Sequence, residues 1–447
     1  MTSSRNDRVV TALLVALMIV AAGLRLGAAA PRAGAVFELG DSQIYRELGS
    51  NLASGRGLKM TDFAGRERVA DRMPGYPALL AALDIIFGER ATWALLVLQA
   101  LAGAGTVLVV FLVAREICPG AAAGLAAAAL VAVEPWQVYF STVALTECWS
   151  GLFLAVTIYF ALRAMRDEVN RLRWALAAGA ACAALGYFHP EFLGLPVAFG
   201  VVALVASGRR KWLPVWAVAT AVVVAALVPW WVRNYELLGR PVMATTRLGT
   251  TMWDGVRPGA TGASDMRFEQ EDADQTRGLN EMEYDAHYRR LALAAMAEEP
   301  GRMVRLAMTK AGRLWSPTPN AAMGQAWYYR WASAVGWAVM MAGAAIGLSV
   351  LLRRRGKEEA TPSPYPLPSR ERGEEATAGQ GRALSLRKEE PATAAVVVLI
   401  VPAIWVTLVH LVLVGSVRYR VPVEPMLCIL GGVGVAWLAA KWRTGER

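Results

Sequence analysis

Charged residues are scarce in this chain, and the cysteine and glycine patterns that mark many soluble enzymes are missing. Only 18% of its 447 residues are charged, whereas 55% are hydrophobic. Its four cysteines have the spacing of neither a metal site nor a disulfide framework. No segment has the glycine-rich fingerprint of a P-loop or a dinucleotide-binding fold. Composition therefore excludes a soluble enzyme, and we expect no metal and no cofactor. The cysteines are Cys118, Cys148, Cys182 and Cys428.

Long apolar segments, by contrast, are abundant. A membrane-spanning helix needs about 20 mostly apolar residues. The sequence therefore predicts an all-α polytopic membrane protein with about ten transmembrane helices. The first follows Arg5 and Arg8 as a signal peptide would, but its apolar run is long, so we interpret it as an uncleaved anchor. The segments are 8–28, 92–114, 120–140, 144–164, 174–188, 191–208, 212–231, 327–352, 392–415 and 421–440.

Basic residues in the short loops indicate the orientation of the chain. Lys and Arg accumulate in short cytoplasmic loops, and they alternate consistently here if both termini are cytoplasmic. Residues 29–91 and 232–326 then form two large outer loops. The net charge of +10 is largely explained by this anchoring, so we expect no nucleic-acid partner. The basic positions are Arg115, Arg163, Arg166, Arg209, Arg210, Lys211, Arg353, Arg354, Arg355, Lys441 and Arg443.

Three regions follow from this topology. Residues 1–352 form a transmembrane region that carries both outer loops and any active site. Residues 353–391 form a cytoplasmic loop, and 392–447 a C-terminal transmembrane hairpin. Within the loop, 356–391 is rich in Glu, Arg, Pro, Ser and Gly, a composition that cannot build a packed core, and we predict disorder. It is an inert insert or a partner-binding segment.

The outer loops contain helices of their own. Residues 42–52 have apolar side chains at helical spacing and end at a Ser-Gly-Arg-Gly turn, 54–57. Tyr76 to Phe87 is too short to span the bilayer, so we predict an interfacial helix that ends at Gly88. In the second loop, 281–299 and 303–314 predict a pair of surface helices around Pro300.

The order of these features resembles a known family. Asp41 is followed by Tyr45, then by Arg-Met-Pro-Gly-Tyr-Pro at 72–77, Pro-Trp-Trp-Val-Arg-Asn-Tyr at 229–235 and Arg-Tyr-Arg-Val-Pro-Val-Glu-Pro at 418–425. This set is similar to the GT-C-type membrane glycosyltransferases (glycosyltransferase family 39-like), in the bacterial branch of the protein O-mannosyltransferase and lipid A aminoarabinose transferase kind. The resemblance excludes the 356–391 insert.

The resemblance implies a GT-C-like bundle and an inverting transfer of a sugar from a polyisoprenyl-phosphate donor. The acceptor would be an envelope glycolipid, a polysaccharide or a protein. The reaction would take place on the periplasmic side of the bacterial cytoplasmic membrane, with undecaprenyl phosphate as the carrier. Neither the sugar, nor the acceptor, nor the oligomeric state follows from the sequence.

Asp41 is the candidate general base, because it occupies the position of the family's essential acid. Close to the interface its carboxyl is expected to have a raised pKa. The alternative role is an N-cap of the helix that follows. Many relatives have adjacent acids here, but this chain has Ser42, so we do not expect a chelated metal. Glu147 is the second catalytic candidate, either orienting an acceptor or pairing with an outer-loop arginine, and the alternative is a structural ion pair.

Other residues are candidates for substrate or lipid-phosphate binding. Arg418 and Arg420 break the positive-inside pattern by lying on the outer side, which a lipid phosphate explains, as would snorkelling. Arg72 and Arg233 are further arginine candidates. Tyr76 and Tyr419 are candidates for shaping a sugar pocket, unless they are ordinary interfacial aromatics. His189 and Glu191 flank Pro190 at an outer turn in a step the family also shows, although a surface histidine is the common meaning of such a residue.

Two other classes of function fit parts of the pattern. A lipid or lipid-linked sugar transporter, or flippase, can use ten spans and buried acids such as Glu134 and Glu147. Against it, the sequence has no inverted repeat and no matched pair of broken helices. A non-catalytic scaffold would tolerate replacement of Asp41.

Overall fold

The computed structural model describes residues 2–118, 120–205, 210–320, 326–360 and 395–444, and it confirms an all-α membrane protein. The described strands are a two-stranded antiparallel hairpin, β1 (Met60–Thr61) with β2 (Glu67–Arg68). The helices are α1 (Thr2–Ala29), α2 (Gly40–Ala53), α3 (Gly75–Phe87), α4 (Ala91–Ile117), α5 (Ala122–Val133), α6 (Pro135–Tyr139), α7 (Glu147–Arg166), α8 (Arg171–Phe188), α9 (Leu195–Val205), α10 (Leu213–Leu238), α11 (Leu248–Val256), α12 (Phe268–Glu271), α13 (Ala273–Thr276), α14 (Glu281–Glu298), α15 (Pro300–Leu314), α16 (Trp327–Ala360), α17 (Ala395–Val412), α18 (Val417–Arg420) and α19 (Glu424–Thr444).

Seven stretches of helix in the described residues are long and apolar enough to cross a membrane. They contain α1, α4, α7, α10, α16, α17 and α19. The other three predicted spans are shorter or interrupted. α5 ends at Val133, and the side chain of the next residue, Glu134, accepts a hydrogen bond from Gln137 N and caps α6. α8 has 18 residues, and α9 follows a 3₁₀ turn at Pro190–Gly194. The protein is therefore a multi-pass membrane protein, and the expected count of about ten is not reached by length and composition alone.

The first long loop has the two predicted helices. α2 ends at Ala53 and is followed by Gly55 and Gly57, both with the positive φ that glycine adopts without strain. α3 ends at Phe87, and Gly88 with φ +53° turns the chain into α4. At the other end of α3, a Cβ on Gly75 would lie 2.7 Å from the carbonyl oxygen of Tyr187, so only glycine allows this helix to approach α8.

The second long loop folds back on the first. Arg66 donates from Nε to the carbonyl of Leu279 and from Nη2 to that of Thr276, both over 2.8 Å. Its guanidinium also lies 3.8 Å from the centre of the Tyr284 ring. The carboxylate of Glu281 accepts from the backbone N–H groups of residues 69 and 70. The predicted surface pair is present as α14 and α15, with Pro300 at the start of α15.

The structure describes only part of the predicted cytoplasmic loop, 353–391. α16 continues to Ala360, so the first residues of the predicted cytoplasmic loop are helical. Residues 361–391 of that loop lie outside the described residues.

All four cysteines are buried thiols.

Candidate active site

Asp41 lies between two arginines that come from distant parts of the chain. Arg72 donates from Nη2 to Asp41 Oδ1 over 2.8 Å, and Arg418 donates from Nη1 to Oδ2 over 2.6 Å. About a third of the Asp41 side chain, 32%, stays exposed. The structure therefore brings together three residues that the sequence analysis selected. The Asp41 side chain at their centre is partly open to solvent.

Local structure explains how each group reaches this point. Asp41 lies in the first turn of α2, but the N-cap residue is Leu39 and Asp41 makes no cap hydrogen bond. The carboxylate is thus free to face the arginines, and the alternative role as N-cap is not observed. Arg418 is carried by α18, whose N-cap Ser416 accepts a hydrogen bond from the Arg418 N–H. Arg72 lies in a bend of the chain shortly before α3.

The expected raised pKa of Asp41 is wrong. Burial opposes ionisation of this carboxyl, but the positive charges of Arg418 and Arg72, with Arg247 further away, outweigh it. The pKa of Asp41 therefore lies well below its ordinary value. In this arrangement Asp41 is a stable anion and a weak base.

Asp71 is a second carboxylate in the cluster, and the sequence analysis missed it. Its side chain is fully buried and meets three arginines. Arg68 Nη1 lies 2.7 Å and Arg247 Nη1 3.5 Å from its Oδ1, and Arg72 Nη1 donates to its Oδ2 over 2.5 Å. Arg247, from the second loop, lies 3.5 Å from Glu269 as well. Burial opposes ionisation here too, but Arg68 and Arg72 lower the pKa of Asp71 below its ordinary value.

Glu147 pairs with an arginine of the cluster, which is one of its two predicted roles. Its side chain is fully buried in the first turn of α7, and Oε1 accepts a short hydrogen bond from Arg418 Nε. The guanidinium of Arg418 therefore bridges Glu147 and Asp41. A charge inside a membrane protein is costly unless it is paired, and Arg418 is the positive partner of Glu147.

Two tyrosines, Tyr45 and Tyr76, pack against each other beside the cluster. Tyr45 packs edge-on against Tyr76, with ring centroids 5.1 Å apart. Tyr76 is completely buried, and its hydroxyl donates to Gln99 Oε1 over 3.1 Å. Burial raises the pKa of Tyr45 to about 12, with Asp41 adding to the effect and Arg72 opposing it. Tyr76 therefore packs against Tyr45 and is not accessible to solvent.

His189 and Glu191 lie to one side, together with a histidine that the sequence analysis did not select. His189 Nδ1 is 3.6 Å from Glu191 Oε1, and His410 Nε2 is 2.9 Å from Glu191 Oε2. The His410 ring stacks on Tyr419, with centroids 4.1 Å apart. Tyr419 links this group to the cluster, because its ring also lies next to Arg418.

Two of the predicted arginines are not in the cluster. Arg233 donates to the backbone carbonyls of Leu58 and Val69, so it anchors the first loop. Arg420 is fully buried, donates from Nε to Glu424 over 2.9 Å, and caps the carbonyl of Leu314. In the described part of the chain, no three His, Cys, Asp or Glu side chains are grouped as metal ligands.

Comparison with known proteins bears on both fold and family. Residues 71–232 match the family described as dolichyl-phosphate-mannose-protein mannosyltransferase. No curated protein matches the chain in sequence. The oligosaccharyltransferase of Archaeoglobus fulgidus in its apo form is similar in structure, with a TM-score of 0.56 and 14% identity over 98% of this chain. AglB from the same organism, in complex with an inhibitory peptide and a dolichol-phosphate, gives 0.54 and 13% over 97% of this chain.

This chain spans about half the length of those archaeal structures, 52% of each. The match to ArnT from Cupriavidus metallidurans bound to undecaprenyl phosphate covers 96% of this chain and 78% of that protein, at 16% identity. The TM-score of this match is 0.38. The family match and the archaeal folds confirm the resemblance to the GT-C-type membrane glycosyltransferases that the sequence motifs indicated.

Proposed function

We propose that this protein is a membrane glycosyltransferase that moves a sugar from a polyisoprenyl-phosphate donor to an envelope acceptor. One observation carries the proposal: Arg72 and Arg418 converge on the partly exposed carboxylate of Asp41. Guanidinium groups bind phosphate through paired N–H donors and stay charged at all relevant pH values. An adjacent carboxylate supplies the base that a sugar transfer to a hydroxyl group requires.

Donor binding converts Asp41 from a weak base into a useful one. The donor phosphate competes with Asp41 for the N–H groups of Arg72 and Arg418. When these arginines turn to the phosphate, they no longer hold the pKa of Asp41 down. The carboxylate then accepts the proton of an acceptor hydroxyl group. The base is thus activated only when the donor is present, which protects the donor against untimely reaction.

The reaction is a single displacement with inversion. The acceptor oxygen forms a bond to the anomeric carbon as the bond from that carbon to the phosphate oxygen breaks. The acceptor proton goes to Asp41, and the leaving polyisoprenyl phosphate keeps the electron pair, stabilised by the arginines. Glu147 holds Arg418 in place, and Asp71 does the same for Arg72. No residue of this chain is required to form a covalent intermediate.

The orientation of the chain and one relative suggest the carrier and the side of reaction. The positive-inside pattern assigns both long loops to the outer face, and these loops contribute Asp41, Arg72 and Arg247. AglB was solved with a dolichol-phosphate, a lipid phosphate of the proposed chemical type. We infer that a bacterial undecaprenyl-phosphate sugar is used at the outer side of the cytoplasmic membrane, without a metal.

The test is transfer by purified full-length protein. Radiolabelled undecaprenyl-phosphate sugars (a hexose, a uronic acid and an amino-pentose) are supplied with an envelope extract of lipids, polysaccharide and protein, with and without EDTA. We expect label from at least one donor to appear in an acceptor, at an unchanged rate in EDTA. Movement of the donor between leaflets without transfer would favour a flippase, the alternative compatible with the buried acids. Absence of both would contradict the proposal.

A further inference from the structure

A cavity of about 220 Å³ opens between α2, α3 and the start of α4. Arg46 and Ser50 line it from α2, on either side of Gly49. At Gly49 the two helices touch, since an added Cβ would lie 2.8 Å from Leu80 Cβ on α3. Thr92 lines the cavity from the first turn of the membrane-spanning helix α4. The cavity therefore lies where α4 enters the bilayer, at the depth of the lipid headgroups.

Three charged side chains border this cavity, one positive and two negative. Arg46 lies over the ring of Phe37, with its guanidinium carbon 5.0 Å from the ring centre. Asp84, in the last turn of α3, lies within the electrostatic influence of Arg46, and Glu89 follows in the turn to α4. Within the described parts of the chain, none of the three charges forms an ion pair. All three are exposed, so a ligand can reach them.

The surroundings of these charges are apolar. Ile85 and Ile86, next to Asp84, are each 69% exposed, and Phe87 and Trp93 follow with about half of their surface exposed. Exposed apolar patches mark surfaces that contact lipid or protein, and Trp is typical of the boundary between headgroups and acyl chains. A ligand at this place therefore meets charges and apolar side chains together, as the two ends of a lipid do.

The size of the cavity limits what part of a lipid it holds. Sites for drug-sized ligands usually measure about 300–1,000 Å³, which is more than this cavity offers. It is therefore a site for a small headgroup. The acyl chains of the lipid would lie outside, against exposed side chains such as those of Ile86 and Trp93.

The arrangement of charges selects among small headgroups. Arg46 offers paired N–H donors to a phosphate. Asp84 and Glu89 repel a lipid of net negative charge, but they accept hydrogen bonds from an ammonium group. A quaternary ammonium has no N–H to donate and is bound by aromatic cages, whereas the Phe37 ring already carries Arg46. The matching headgroup is a phosphate joined to a primary ammonium group.

We propose that this cavity binds the headgroup of a phosphoethanolamine lipid, with its phosphate on Arg46 and its ammonium group between Asp84 and Glu89. The site is separate from the Asp41 cluster. Asp41 and Arg46 are five positions apart on α2, which places their side chains roughly 140° apart around the helix. Among the described residues, no hydrogen bond or ion pair links the two places. A bound lipid holds α2 against the turn between α3 and α4.

Exposed positions allow the charges to be removed without opening the fold. Asp84→Asn together with Glu89→Gln removes the negative charges and keeps the size of the side chains. Arg46→Gln removes the positive charge. Glu38→Gln is the matched control, because Glu38 is an exposed carboxylate of the same loop that does not line the cavity. In the part of the chain that the structure describes, these side chains form no hydrogen bond that the substitutions would break.

The experiment measures equilibrium binding of radiolabelled phospholipids to the purified full-length protein in nonionic detergent. The probes are phosphatidylethanolamine, phosphatidylcholine and phosphatidylglycerol with identical acyl chains, so adhesion to apolar surface is the same for all three. We expect the wild type to bind phosphatidylethanolamine about tenfold or more tightly than the other two. Asp84→Asn with Glu89→Gln should lose this preference, and Arg46→Gln should bind phosphatidylethanolamine about tenfold more weakly. Glu38→Gln should behave like the wild type.

Reversal of the charges adds a test by gain of binding. Asp84→Lys with Glu89→Lys surrounds the cavity with positive charge, so phosphatidylglycerol should become the preferred lipid. Equal wild-type affinities for the three lipids, or a wild-type preference for either of the other two, would overturn the inference. So would a phosphatidylethanolamine preference that survives removal or reversal of the two acids, or one that Glu38→Gln loses as well. None of these outcomes depends on sugar transfer.

Discussion

Arg418 and Arg420 are two residues apart on α18 and serve two different groups of charges. Arg418 faces Asp41 and Glu147 with 14% of its side chain exposed, next to a carboxylate that solvent reaches. Arg420 and its partner Glu424 are both completely buried. The first group has room for a ligand to replace a protein partner. In the second, every contact of the guanidinium is with the protein itself.

The partners of the two arginines distinguish a functional ion pair from a structural one. Arg420 also donates to the backbone carbonyls of Leu314 and Ser316, so it joins the end of α15 to α18. Among the described residues, Arg418 bonds to side chains: its guanidinium to Asp41 and Glu147, and its backbone N–H to Ser416 Oγ. An arginine bonded to carboxylates alone can exchange them for a phosphate, whereas one bonded to backbone carbonyls cannot leave without opening the fold.

The largest expected effect comes from replacing the base on the exposed side. Asp41→Asn should reduce transfer about 10²- to 10⁴-fold, the usual contribution of a general base. Binding of undecaprenyl phosphate should persist or tighten, because Arg72 and Arg418 lose a competing anion. Single-turnover transfer from a radiolabelled donor, with binding measured in parallel, checks both. Equal transfer by variant and wild type would remove Asp41 from the mechanism.

The next effect concerns stability on the buried side. Arg420→Met leaves the buried Glu424 without its positive partner, which costs about 3–5 kcal/mol of folding free energy. Thermal unfolding of the detergent-solubilised protein should show a lower midpoint, and the double variant with Glu424→Met should recover part of it. An unchanged midpoint for Arg420→Met would show that the buried pair has no structural role.

A smaller effect is expected when Arg418 keeps its charge but loses its shape. Lysine cannot contact Asp41 and Glu147 at once through a rigid planar group. Arg418→Lys should therefore lose about one charged hydrogen bond and transfer about 10- to 100-fold more slowly. The midpoint of unfolding should change less than in Arg420→Met. Transfer at the wild-type rate would mean that the guanidinium geometry is not used.

Part of this site was predictable from sequence. Asp41 was selected by the family resemblance, and Glu147 and Arg418 as charged exceptions in an otherwise regular membrane pattern. The structure brings these three together with Arg72, a further candidate. The same signal also selected Arg420, whose buried side chain pairs with Glu424 and not with this cluster. On a helix each residue turns the side chain by roughly 100°, so positions two apart point to nearly opposite sides. Because α18 is helical, Arg418 and Arg420 do not share one ligand.

The rest depends on how the two long loops fold together. Asp71 and Arg247 meet because Arg66 and Glu281 hold the second loop against the first, and no local pattern predicts contacts across more than 170 residues. The positive-inside rule also says little about Arg247, since it applies to short loops. His410 did have a signal, because an ionisable residue inside an apolar span indicates function or pairing.

Equilibrium binding of undecaprenyl phosphate to a matched pair of variants tests most directly whether the Asp41 cluster binds the donor phosphate. Arg418→Gln and Arg420→Gln make the same chemical change two residues apart, and affinity is measured for the folded fraction of each. We expect Arg418→Gln to weaken binding about tenfold or more and Arg420→Gln to bind like the wild type. Equal affinities for the two variants, or a loss confined to Arg420→Gln, would contradict the assignment of the phosphate to the Asp41 cluster.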